Sequence, residues 1–122
     1  MAVFIRPKTI DDVLKLELER NISRSIVTLE GGSAYEIGAV LARVNGKHRP
    51  LNPAGTGEET IARAVCLTRV DATLGDRPGG ALDFGGLVDP ANLIWPDGIT
   101  DPQKAAAIDQ LDARGVKLAN ML

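Results

Sequence analysis

The side chains able to do chemistry are few, and their neighbours do not suit it. His48 is the only histidine, and it stands between Lys47 and Arg49. A general base or a metal site needs a partner carboxylate or further ligands. A lone imidazole flanked by cations at the foot of a hairpin is therefore expected to be an exposed surface residue. Asp11-Asp12 and Glu58-Glu59 are adjacent carboxylate pairs, but neighbouring positions usually face apart, so a shared acid–base site would have to come from tertiary contact. Ser23, Ser25 and Ser33 lack the Gly-x-Ser-x-Gly setting of an activated nucleophile. Cys66, the single cysteine, lies in the apolar run Ala64-Val65-Cys66-Leu67 and is expected to be a small buried hydrophobe. Gly55 and Gly57 are not followed by Gly-Lys-Ser/Thr and do not make a phosphate loop. No catalytic, metal or cofactor-binding residue is expected, and no enzyme activity.

The best-defined element is late in the chain. Thr100 with Gln103 has capping-box spacing, and Asp101 before Pro102 offers an Asp cap with Pro at the first helical position. Either start gives a helix over about 101–114, in which Ala105, Ile108 and Leu111 form a narrow apolar stripe. Gly115 is placed to end it as a left-handed cap with Val116 touching Leu111, and Val116-Lys117-Leu118 alternates like a short closing strand. Just before the helix lies the only tryptophan, Trp95, expected as a core anchor or, less often, an interface hot spot. An aromatic residue before Pro favours the cis isomer, which makes Trp95-Pro96 a candidate cis bond.

Upstream the chain reads as short strands. Ser23 to Leu29 is β-branched and stops at Glu30-Gly31-Gly32. Ile37 to Val44 is broken by the hairpin signal Asn45-Gly46, with Lys47 to Leu51 returning and Pro50 confined to an edge or a strand end. Asn52 to Glu59 and Gly75 to Gly80 read as open loops, and Thr60 to Val70 and Ala81 to Val88 as strands. In the first twenty residues Thr9-Ile10-Asp11-Asp12 has the makings of a helix start, while Leu14, Leu16 and Leu18 alternate with charge as a strand does. That segment is either a domain edge strand or an arm that orders on a partner. The expected fold class is α+β: a β-rich small domain of short strands and turns with one C-terminal helix and an extended N-terminal arm.

At 122 residues, 44% hydrophobic and 25% charged, the chain is long enough for one globular domain. With only 3% aromatic residues its core must be built from Leu, Ile, Val and Ala. A net charge of -2 gives no footprint for nucleic acid. The N-terminus has no signal-peptide h-region, and no stretch approaches the roughly 18 apolar residues of a membrane span. Synthesis and assembly in a cytoplasm are expected.

Several blocks carry a resemblance. They are Ser23-Arg24 with Ile26-Val27-Thr28-Leu29, Gly38-Ala39-Val40-Leu41 leading to Gly46-Lys47, Leu51-Asn52-Pro53-Ala54, and Gly57-Glu58-Glu59-Thr60-Ile61-Ala62. Val70-Asp71-Ala72-Thr73, Leu93-Ile94-Trp95-Pro96, Lys104 and the close from Leu111 to Leu118 complete them. Taken in order over roughly residues 16 to 120, they resemble the head decoration (head-stabilising) proteins of tailed bacteriophages, typified by the decoration protein of phage lambda. The run Ala64-Val65-Cys66-Leu67 departs from the Gly-Ile-Leu-like or Ala-Ile-Leu-like run of that family, a difference that touches packing.

The resemblance implies a structural virion protein on the outer capsid surface, made in the host cytoplasm. Its partners would be the major capsid protein and itself as a homotrimer, with no nucleic acid, membrane or small-molecule substrate. Trimers would sit at three-fold and quasi-three-fold positions of the expanded head and hold it against DNA pressure. It further implies an extended capsid-binding arm over residues 1–24, with Val3, Phe4, Ile5, Leu14, Leu16 and Leu18 as contacts, followed by a decoration domain over 25–122. Leu93, Trp95 and Pro96 are then expected as a structural hub or trimer contact. The alternatives are a non-viral oligomeric assembly or adaptor module without catalytic activity, and a small hydrolase-like domain whose only available base would be His48.

Overall fold

Residues 9–17 and 23–119 are described in the computed structural model. The hairpin marked by Asn45-Gly46 forms, with β4 (Val40–Val44) returning as β5 (Lys47–Pro50). Both turn residues have positive φ, 53° and 79°, as a two-residue type I′ turn requires. β2 (Arg24–Leu29) pairs antiparallel along its whole length with β8 (Arg77–Leu82) and meets β5 in parallel at Leu29 opposite His48. β6 (Ala64–Cys66) joins β4 to β8, so the order β2-β5-β4-β6-β8 closes into a barrel. β3 (Ala34–Tyr35) and β7 (Val70–Asp71) form a two-stranded ribbon beside it.

The remaining elements build a second layer. A single turn of helix, α1 (Ile10–Val13), leads into β1 (Leu14–Glu17), which pairs antiparallel with β9 (Gly86–Val88). β10 (Val116–Leu118) lies parallel on the other side of β9, and α2 (Asp101–Ala113) precedes it. The capping box closes as expected: the Thr100 amide donates to Gln103 Oε1 at 3.0 Å and the Gln103 amide to Thr100 Oγ1 at 3.3 Å. The apolar face of α2 differs from the expected stripe. Ala107 and Leu111 are buried, Ile108 is half-buried and Ala105 is exposed, because the contact face follows the 3.6-residue period and not a spacing of three.

Period-two alternation divides the apolar residues between two cores. Leu41, Ala64, Cys66 and Ala81 point into the barrel with Leu29, while Val40, Ala42, Val65 and Leu82 point outward. The outward set packs with Val13, Val88, Leu111 and Val116 of the second layer. β4, β6 and β8 are therefore buried on both faces.

Narrow barrels need small residues, and this overturns one expected loop. The segment Gly75 to Gly80 is half strand: β8 starts at Arg77 and carries Pro78, Gly79 and Gly80 within it. A Cβ at Gly79 would overlap the Leu29 side chain, so the barrel uses the glycine as interior packing space. Two expected strands are also shorter than their apolar runs. Thr60 to Val70 starts on the last residue of a 3-10 turn, Gly57–Thr60, and then contributes only β6 and the first residue of β7. Ala81 to Val88 is divided at Gly85, whose positive φ of 55° sends β9 into the other sheet.

His48 is the clearest correction: it is buried, 6% exposed, where an exposed residue was expected. It is the register partner of Arg43 and of Leu29, and residues opposite one another share a face, so the imidazole turns towards the barrel interior. Burial pushes its pKa below the ordinary 6.5, reinforced by Arg43 and Arg63 and opposed by Asp83. Below pH 6.5 the unfolded chain then takes up a proton that the folded chain resists. Stability is full above that pH and declines as pH falls from it towards the lowered folded value. Urea unfolding in chloride buffer should show stability decreasing from pH 7 to pH 5, with a shallower slope in His48→Gln. Equal slopes would mean that the folded imidazole accepts its proton normally.

Candidate interaction surface

The segment Leu93 to Pro96 is tied into the fold by its backbone. The Ile94 amide donates to the Gly38 carbonyl at 2.8 Å, and the Val40 amide donates to the Ile94 carbonyl at 3.2 Å. The segment thus extends β4 by an isolated parallel bridge, Ala39 opposite Ile94. Gly38 permits the approach: its φ is 99°, and a Cβ there would overlap the Asn92 carbonyl oxygen. Asn92 in turn donates from Nδ2 to the Asp12 carbonyl at 2.9 Å and to Asp89 at 3.2 Å, which fixes α1.

Of the three residues expected here, Leu93 is buried in the second core, Trp95 packs half-buried against it, and Pro96 is half-buried. Lys104 Nζ stands 5.4 Å from the centre of the Trp95 ring, a cation–π contact between the segment and the first turns of α2. The Trp95-Pro96 bond is trans, contrary to the cis expectation.

The residues expected as arm contacts are dispersed. Val3, Phe4, Ile5 and Leu18 lie outside the described residues. Leu14 is 8% exposed and belongs to the core, whereas Leu16 is 63% exposed. Strict alternation would put both leucines on one face. The register shows why they part: Leu14 faces Val88 and Leu16 faces the adjacent Leu87, so a bulge at Lys15 rotates everything beyond it. Beyond the bulge, Glu17 accepts two hydrogen bonds from the Arg24 guanidinium, at 2.9 and 2.8 Å, which joins the end of β1 to the start of β2. That carboxylate partner raises the Arg24 pKa.

Turned outward, Leu16 borders an apolar recess of about 330 Å³ with Phe84, Gly85, Gly86, Leu87 and Lys117. Phe84 is 45% exposed, and the sequence reading missed it by placing it mid-strand. Its signal was Phe84-Gly85-Gly86, since paired glycines interrupt a strand and leave the preceding side chain at a corner. β1 is the outer strand of its three-stranded sheet, so its far edge carries no strand partner among the described residues. The arrangement suits contact, not chemistry. Among the described residues no three His, Cys, Asp or Glu side chains gather as a metal site, and no helix is long and apolar enough to cross a membrane.

Gly38→Ala tests the stitching of the Leu93 segment. Strained backbone of this kind costs of order 1–3 kcal/mol, and overlap with Asn92 adds to it, so the loss of urea stability should lie at or above the top of that range. A loss below about 0.5 kcal/mol, the level of an ordinary surface substitution, would refute the close approach.

No curated protein matches the chain. The family profile described as bacteriophage lambda head decoration protein D matches residues 3–116, from the third residue of the expected arm to the first residue of β10. With nearly its whole length accounted for, the chain belongs to the family of phage head decoration proteins, structural components of the virion that bind the capsid.

Proposed function

We propose that the protein assembles as trimers on the outside of the expanded capsid, at three-fold and quasi-three-fold positions, and holds the shell against the pressure of packaged DNA. The observation that carries the capsid-binding part is the bulge at Lys15, which turns Leu16 out beside Phe84 and leaves the β1 edge unpaired among the described residues. An apolar patch next to a free strand edge is the form expected of a surface that receives a strand from a partner. Residues 1–24 act as the arm: its first part reaches the shell, and its folded part, α1 and β1, anchors it to the domain. Leu93, Trp95 and Pro96 serve as a hub beneath the trimer contact. The protein has no catalytic activity, uses no cofactor or substrate, and works by binding alone.

Three arms on one trimer bind multivalently, so modest contacts at each protomer give slow release of the whole. Preference for the expanded shell follows if only that shell presents three sites at the spacing of the arms. Co-sedimentation with expanded and unexpanded shells of the phage that encodes the protein tests this. Saturable binding to expanded shells is expected, near one protomer per capsid subunit. Removing residues 1–8, or introducing Leu16→Asp with Phe84→Asp, should abolish binding while leaving the circular dichroism spectrum unchanged. Full binding by both variants would eliminate the arm and recess as the contact surface.

A further inference from the structure

One end of the barrel is open and cationic. Arg43 is the penultimate residue of β4, Arg63 immediately precedes β6, and α2 delivers Arg114 from its C-terminal cap. With His48 and Asp83 these residues line a cavity of about 360 Å³, within the range of small-ligand sites. Asp83 is held by Ser25, whose hydroxyl donates to both carboxylate oxygens at 3.1 and 3.0 Å. The three arginines form no ion pair and no side-chain hydrogen bond among the described residues. Three guanidinium groups against one carboxylate leave two positive charges uncompensated, in a chain whose net charge is -2.

Two buried polar atoms here lack partners. His48 is more than nine-tenths buried, and its Nδ1 accepts and donates nothing among the described residues. Arg114 Nε is likewise buried without a hydrogen bond. Among the described residues the one other buried atom without a hydrogen bond, Arg49 Nε, has the Glu30 carboxylate 3.3 Å away as a charge partner, while Ser23 donates to the Gly85 carbonyl and Tyr35 to the Glu30 carbonyl. Unpartnered groups concentrated at a concave cationic end are what an absent anion would leave behind.

We propose that the barrel mouth is an oxyanion site that takes a phosphate dianion, free or as a monoester, with Arg43, Arg63 and Arg114 as its cationic ligands. Guanidinium groups match phosphate oxygens through paired N–H donors, and three of them converging on one cavity supply more donors than a single carboxylate can use. Two uncompensated charges match a dianion, while Asp83 disfavours larger polyanions by facing them directly. The imidazole of His48 at the wall gains a proton more readily once the anion is seated. The site is on the barrel and not on the Leu16 recess, and it does not depend on capsid binding.

The test is titration of the full chain with inorganic phosphate in chloride buffer at constant ionic strength. It is read by the thermal unfolding midpoint and by the His48 imidazole resonances. A saturable rise of the midpoint is expected, together with an upward shift of the His48 titration. Arg63→Gln and Arg43→Gln should each weaken binding about tenfold or more, the loss of one charge-assisted hydrogen bond. Asp83→Asn should tighten it, so one variant moves opposite to any general loss of folding. A second titration with glycerol 1-phosphate separates the sources: tighter binding assigns the site to an esterified phosphate, weaker binding to the free ion. A midpoint that does not move, or one that moves equally in wild type and both arginine variants, overturns the proposal.

Discussion

The structure depends on one steric constraint, the narrowness of a barrel closed by five short strands. Its interior holds Leu29 and Leu41, and the positions facing them must be small. That is why Gly79, Ala64, Cys66 and Ala81 stand where they do, and why β8 runs through a Pro-Gly-Gly stretch that looks like a loop. The same narrowness leaves too little apolar volume inside for a stable domain of this length. The second core therefore forms on the outer faces of β4, β6 and β8, under α2 and the β1-β9-β10 sheet.

Two local devices connect that packing to the outward surface. Gly38 lets Asn92 to Ile94 come against β4, and Asn92 passes the constraint on to α1. The bulge at Lys15 then decides which leucine faces the core and which faces out. Val13 and Leu14, buried, hold the root of the N-terminal segment, while Leu16, two residues on, is free for contact. A binding element rooted this way loses less conformational freedom on capture than a wholly free one, which favours tight association from a small area.

Features set by neighbouring residues were legible in the sequence. The Asn45-Gly46 hairpin, the Thr100–Gln103 capping box, the Gly115 helix end and the closing strand at Val116 all form, because each is decided within four or five residues. Features set by closure were not. Nothing near His48 says that β5 will pair with β2 and turn the imidazole inward, and nothing near Gly79 announces Leu29. The leucine alternation was read correctly as a strand but not its facing, since one inserted residue reverses a period of two. Family membership was legible because it rests on the order of many short blocks, and order survives errors in any one of them.

His48 shows how burial and surface charge combine in this fold. A buried neutral imidazole is a common core residue, and three arginines on a surface are a common solvated patch. Here closure brings them together: strand ends collect at the mouth of any barrel, and in this chain an arginine lies one residue inside the end of β4, one just before β6 and one just after α2. The imidazole lies at the wall with its pKa depressed by burial and by two of those cations, and with Asp83 alone opposing them. Like charges gathered around one cavity repel, and Asp83 is the one carboxylate among the lining residues set against the three arginines. That conflict between local cost and retained charge, at a mouth where His48 Nδ1 and Arg114 Nε are also buried without a hydrogen bond, is what separates a binding site from incidental surface.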